Sequence, residues 1–107
     1  MIKYFKWWLK LKYQKVTRGY TDSEIWNLDC TLTEWILPRL KTFKNETKGR
    51  PSNLTEKEWD IILDKMIKAF ELYRQEPSDD VAQREKDNNA IKEGFKLFGE
   101  CIYYLWW

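Results

Sequence analysis

The stretch TEKEWDIILDKMIKAFELY, residues 55–73, decides the fold. Thr55 followed three places later by Glu58 is a capping box, in which each side chain satisfies the other residue's backbone amide at a helix start. Leu54 before the box and Trp59 after it supply the hydrophobic staple that fixes the entry of the chain. Trp59, Ile62, Leu63, Met66, Phe70 and Tyr73 then recur at steps of three and four, the period of one helical face. The pattern predicts a helix over 55–73 with that face turned into a core.

Working outward, NETKGRPSN (residues 45–53) reads as a loop punctuated by Gly49, Pro51 and Asn53. Upstream of it, Thr21 and Glu24 form a second capping box, stapled by Tyr20 and Ile25. A helix over about 22–44 is expected, with the stripe Ile25, Leu28, Leu32, Trp35, Ile36 and Phe43. Pro38 lies inside this pattern, removes one backbone hydrogen bond, and predicts a kink because the stripe resumes beyond it. Residues 2–17 place Ile2, Phe5, Leu9, Tyr13 and Val16 on one helical face, and Gly19 closes the segment. Phe5, Trp7, Leu9, Leu11 and Tyr13 also alternate at a period of two. Length favours the helix, and the strand stays open as the alternative.

Downstream, residues 74–79 turn around Pro77, and a last helix over about 80–106 carries Ile91, Phe95, Phe98, Ile102 and Leu105. A second strip, Gly94, Leu97, Cys101 and Tyr104, runs beside the first, so the apolar arc can face two neighbours. The expectation is an all-α chain, a single helical domain over residues 1–107. It would be a compact four-helix antiparallel bundle, kinked at Pro38, that forms a homo-oligomer through its first and last helices.

Composition narrows the function. The chain has no histidine, which removes Ser/His and Cys/His nucleophile systems and every zinc pattern that contains His. Two cysteines, Cys30 and Cys101, cannot make a four-thiolate site; a bridge between them is the minor alternative to reduced thiols. Asp60 and Asp64, one turn apart, lack a third ligand and read as a solvated helix face. With no nucleophile beside a base, the chain is expected not to be an enzyme and to need no cofactor. No apolar run approaches the roughly 18 residues of a spanning helix. The N-terminal segment has lysine in every turn and no small-residue cleavage site, so a cytosolic setting is expected. The sequons at Asn45 and Asn53 are then chance matches.

Net charge is +2, but it is unevenly placed. Residues 1–18 carry six cations and no acid, residues 19–38 four acids and no cation, and residues 39–50 return to a net +4. Seven tryptophans are more than so small a core easily buries, and Trp7–Trp8 and Trp106–Trp107 are adjacent pairs that cannot both face one core. Exposed indoles mark an interface or a ligand surface. Trp7, Trp8, Tyr104, Trp106 and Trp107 are therefore assigned to an oligomer interface. The lysines interleaved with Tyr4, Phe5, Trp7, Trp8 and Tyr13 also suit nucleic acid or a nucleotide, or a membrane interface.

Three stretches, residues 18–43, 49–73 and 91–99, are similar to a family of small proteins encoded by tailed bacteriophages, most of them without an assigned activity. The shared features are RGYTD, WNLD (26–29), PRLK (38–41), GRP (49–51), and WDIILDKM ahead of Ala69–Phe70. Arg50 stands where members often carry an aromatic residue. The resemblance implies a phage accessory protein acting in the host cytoplasm, and it names no reaction.

Two functions from different classes follow as expectations. The first is an anti-defence sponge that sequesters a host immune nucleotide signal at a subunit boundary. Arg18, Arg39 and Lys41 would clamp phosphate, since guanidinium offers a planar pair of donors, while Tyr20, Trp26 and Trp35 stack on bases. Trp26 and Asp29 would share a helix face there, unless Asn27 and Asp29 instead form a buried network between helices. Arg39 and Lys41 have an alternative of their own, an ion pair with Asp60 or Asp64. The second function is an inhibitor that docks on a host defence or replication protein through exposed tryptophan and lysine.

Overall fold

The computed structural model describes residues 2–46 and 49–106. Its elements are α1 (Ile2–Arg18), α2 (Asp22–Trp26), α3 (Leu28–Glu46), α4 (Glu56–Arg74), α5 (Val81–Cys101) and a 3₁₀ turn, Ile102–Tyr104. Among the described residues there is no strand, so the chain is all-α and residues 2–17 are helical. They group into two compact units that divide between Leu32 and Thr33.

The expected helix over 22–44 is two helices. The backbone leaves helical geometry at Asn27 (φ −125°, ψ 60°), which closes α2. Glu24 loses the amide partner that a continuous helix would supply, and the Thr31 hydroxyl donates to its carbonyl at 2.9 Å instead. The Asn27 carbonyl accepts the Thr31 amide at 2.9 Å and so opens the first turn of α3. The break changes which face is buried. Of the stripe read straight across it, Ile36 and Phe43 pack on the core, but Leu32 and Trp35 are 50% and 55% exposed, and Leu37 and Leu40, outside the stripe, are 4% and 3% exposed. Pro38 lies inside α3, which runs on to Glu46.

In the first unit, Gly19 takes φ +85°, the left-handed geometry of a helix C-terminal glycine, and its amide reaches the Lys15 carbonyl at 3.0 Å. Trp7, Leu11 and Gln14 are the half-buried side of α1. The stripe expected to be its core face is instead exposed at Phe5, Leu9, Tyr13 and Val16.

The second unit has the hydrophobic core: Leu37 and Leu40 from α3 with Trp59, Leu63, Met66, Ile67 and Phe70 from α4. Phe95, Leu97, Phe98, Cys101 and Leu105 pack against it. Helix α4 begins as its capping box requires, with the Thr55 side chain accepting from the Glu58 amide at 3.1 Å and the Thr55 amide donating to Glu58 Oε1 at 3.3 Å. The ring of Phe70 meets those of Phe95 (5.0 Å between centroids) and Phe98 (5.4 Å), and Trp59 meets Tyr104 near the other end. These pairings make α4 and α5 antiparallel. Gly94 lets them approach closely, because a Cβ there would overlap Ala69 Cβ and lie 2.5 Å from the Lys65 carbonyl oxygen. Between α3 and α4, Lys44 binds Asp64 at 2.6 Å, and Leu37 and Lys41 border a cleft with Glu71 and Arg74.

Candidate functional site

In the first unit, α2 places acids beside the cations of α1. Asp22 Oδ1 accepts from Arg18 Nη2 at 2.6 Å, Asp22 Oδ2 accepts from Gln14 Nε2 at 2.8 Å, and Lys10 Nζ lies 3.6 Å away. The Gln14 amide oxygen in turn accepts the Asp22 backbone amide at 2.8 Å. The Gln14 hydrogen bond, followed by that of Arg18, holds the Asp22 carboxyl below the usual carboxylate range. Glu24 is held low first by the Thr21 backbone amide, with Lys15 Nζ 3.3 Å away.

The expected ligand residues of this unit are therefore already engaged. Arg18 binds Asp22, donates through Nε to the Tyr20 carbonyl at 3.0 Å, and lies over the Tyr20 ring at 4.4 Å. Trp26 stacks on Trp7 with centroids 5.3 Å apart. It does not share a helix with Asp29, because Asn27 separates α2 from α3. Asn27 and Asp29 are exposed.

In the second unit, Arg39 turns back on its own helix. Its Nη1 donates to the Trp35 carbonyl at 2.7 Å, and its guanidinium lies 4.2 Å from the Trp35 ring centroid. Of the two acids weighed for Arg39 or Lys41, Asp60 and Asp64, the second is bound by Lys44, whose ammonium pKa is raised by that hydrogen bond. Lys41 lines an open cleft of about 300 Å³ with Leu37, Glu71, Arg74 and Gln75. Cys30 and Cys101 are not in a disulfide, so the bridge weighed between them is not formed; burial raises the Cys101 pKa.

Of the residues assigned to an oligomer interface, Trp8 and Trp106 are exposed, Tyr104 is partly so, and Trp7 is half-buried under Trp26. Trp107 lies outside the described residues.

A site that the sequence did not single out joins two of these residues to the loop before α4. Gly49, Arg50, Tyr104 and Trp106 line a cleft of about 140 Å³. Each wall is held by the core. The Leu54 amide donates to the Pro51 carbonyl at 3.1 Å, closing a turn whose Pro51 is buried and whose Leu54 packs on the core. Arg50 Nε donates to the Leu54 carbonyl at 2.9 Å, which fixes the guanidinium; among the described residues its Nη atoms have no carboxylate partner. Across the cleft, Tyr104 meets the buried Trp59 ring edge-on at 6.4 Å (81° between planes), and Leu105 anchors the turn that leads to the exposed Trp106. A fixed guanidinium beside two exposed rings can hold an anion joined to a flat ring.

No family model, no curated protein and no solved structure matches the chain.

Proposed function

We propose that this chain is a non-enzymatic binding protein that sequesters a nucleotide-type ligand, its phosphate on Arg50 and its base or sugar face on Tyr104 and Trp106. The observation that carries this reading is the Arg50 guanidinium, fixed through Nε with its remaining donors turned to no carboxylate among the described residues, in one cleft with two aromatic rings. Sites for drug-sized ligands usually enclose about 300–1,000 Å³. At about 140 Å³ this cleft suits one base or one phosphate rather than a whole dinucleotide. A second copy would complete the site, which is why the proposal places it at a subunit boundary. Antiparallel four-helix packing and a bend at Pro38 belong to the same proposal. The phage-like motifs of residues 18–43 and 49–73 support a role as an anti-defence accessory protein in the host cytoplasm, with a host immune nucleotide signal as the ligand.

The test is thermal stabilisation by a panel of cyclic dinucleotides and ADP-ribose-type ligands, followed by recovery of the ligand after denaturation. The proposal expects one ligand to raise the melting temperature, to return chemically intact, and to lose about ten- to a hundredfold in affinity with Arg50→Ala, the range for hydrogen bonds to a charged group. An altered ligand would make the chain an enzyme. The absence of any shift, together with capture of one host protein, would make it a docking inhibitor.

A further inference from the structure

Among the described side chains, the cations of the first helix fall into two sets. Lys10, Lys15 and Arg18 face α2 and are paired with Asp22 or Glu24. Lys6 and Lys12 have no acidic partner among the described residues; Lys6 flanks the apolar face made by Phe5, Trp8, Leu9, Tyr13 and Val16, and Lys12 stands within it, over the Trp8 ring. That face is open: Tyr13 is 70% and Val16 80% exposed, and Phe5, Trp8 and Leu9 are each about half exposed or more. The rings on it are ordered, with Phe5 and Trp8 stacked at 6.3 Å and Lys12 Nζ 4.6 Å from the Trp8 ring. We infer that α1 docks this face on an anionic lipid bilayer, lying in the headgroup plane with Phe5, Leu9 and Val16 toward the acyl chains and Lys6 and Lys12 on lipid phosphates.

Charge selects the occupant. A second α1 seated on this face would set Lys6 and Lys12 against the same lysines of its partner. An anionic surface instead neutralises them, at about fivefold in affinity for each cation near the surface. The apolar side chains select a bilayer over a nucleic acid strand, because Leu9 and Val16 offer a base neither a stacking plane nor a hydrogen bond. Trp8 and Tyr13 are the residue types that settle at headgroup level. The helix has 17 residues, and no described helix is long and apolar enough to cross a membrane, so α1 lies on the surface rather than spanning it.

The experiment is flotation of the full chain with vesicles of 3:1 phosphatidylcholine and phosphatidylglycerol, against vesicles of phosphatidylcholine alone. The inference predicts binding to the anionic vesicles, loss of that binding at high salt, and little binding to the neutral ones. Lys6→Gln with Lys12→Gln should weaken binding about thirtyfold, and Leu9→Glu with Val16→Glu should abolish it. Both pairs are exposed positions, and circular dichroism confirms that helicity is kept. Equal binding to neutral vesicles would overturn the inference. So would no binding to either vesicle, whether the Leu9→Glu, Val16→Glu pair then dissolves a dimer or releases a single-stranded oligonucleotide.

Discussion

Trp7 and Trp26 stack face to face, their ring centroids 5.3 Å apart and their planes 11° from parallel. This contact fastens the first helix to the short second one, where two further hydrogen bonds run between Gln14 and Asp22. Aromatic pairs of this kind are worth about 0.5–1.5 kcal/mol beyond the area they bury. Trp26→Ala is expected to free α1 from α2, seen as loss of the exciton signal of the stacked indoles in circular dichroism and as faster amide exchange over residues 7–18. Unchanged exchange there would show that the carboxylate contacts alone hold the pair.

Acid should loosen the same contact. The Asp22 and Glu24 carboxyls are held low in the folded chain, by Gln14 and the Thr21 amide first and by Arg18 and Lys15 after them. A depressed carboxyl contributes stability that is present above its unfolded pKa and is lost as pH falls through its folded pKa. The α1–α2 contact is thus expected to hold from neutral pH down to about 4 and to weaken below it. Asp22→Asn should flatten most of that acid transition, followed by the indole signal. A transition of the same size in Asp22→Asn would place its origin elsewhere.

The crossing of α4 and α5 depends on Gly94. A methyl group there meets Ala69 and the Lys65 backbone carbonyl, and backbone cannot step aside as a side-chain end can. Gly94→Ala is expected to destabilise the second unit by about 1–3 kcal/mol. Urea denaturation checks this as a lower midpoint with an unchanged slope. Adding Ala69→Gly should recover only part of the loss, since the carbonyl clash remains. A Gly94→Ala chain as stable as the parent would mean that the two helices are further apart than described.

Helix α4 was legible in the residues. The Thr55/Glu58 box, its Leu54/Trp59 staple and the three-four spacing all point to one helix, and it runs Glu56–Arg74 with Trp59, Leu63, Met66 and Phe70 buried. The break at Asn27 was not legible, because neither Gly nor Pro marks it and the side chain that repairs it, Thr31, is distant in the pattern. With the break missed, one stripe is drawn through both helices: its Ile36 and Phe43 do pack on the core, but Ile25, Leu28, Leu32 and Trp35 are exposed and Leu37 and Leu40 are passed over. The outward stripe of α1 shows the same limit: periodicity finds an apolar face, and only packing tells whether the chain itself covers it. Arg50 was hidden for another reason, since its partners Tyr104 and Trp106 lie more than fifty residues away in the chain.

The two candidate arginines differ in what already occupies them. Arg39 is folded over Trp35 and bonded to its carbonyl, whereas Arg50 keeps its terminal nitrogens clear of carboxylates among the described residues. Arg39→Ala is therefore expected to leave ligand affinity within about twofold, inside the usual scatter for surface substitutions. Trp106→Ala should cost about 1–3 kcal/mol of binding through lost stacking. Titration calorimetry with the stabilising ligand separates them. A larger loss from Arg39→Ala than from Arg50→Ala would return the phosphate site to α3.

The central claim is that the chain holds a nucleotide-type ligand in the cleft of Arg50, Tyr104 and Trp106. Native mass spectrometry of protein purified from bacterial cells tests it most directly, since it reports subunit count and any retained small molecule together. The account predicts an oligomer carrying a phosphate-containing ligand that is released intact on denaturation and is missing from Arg50→Ala. A ligand-free monomer, or a ligand equally retained by Arg50→Ala, would contradict it.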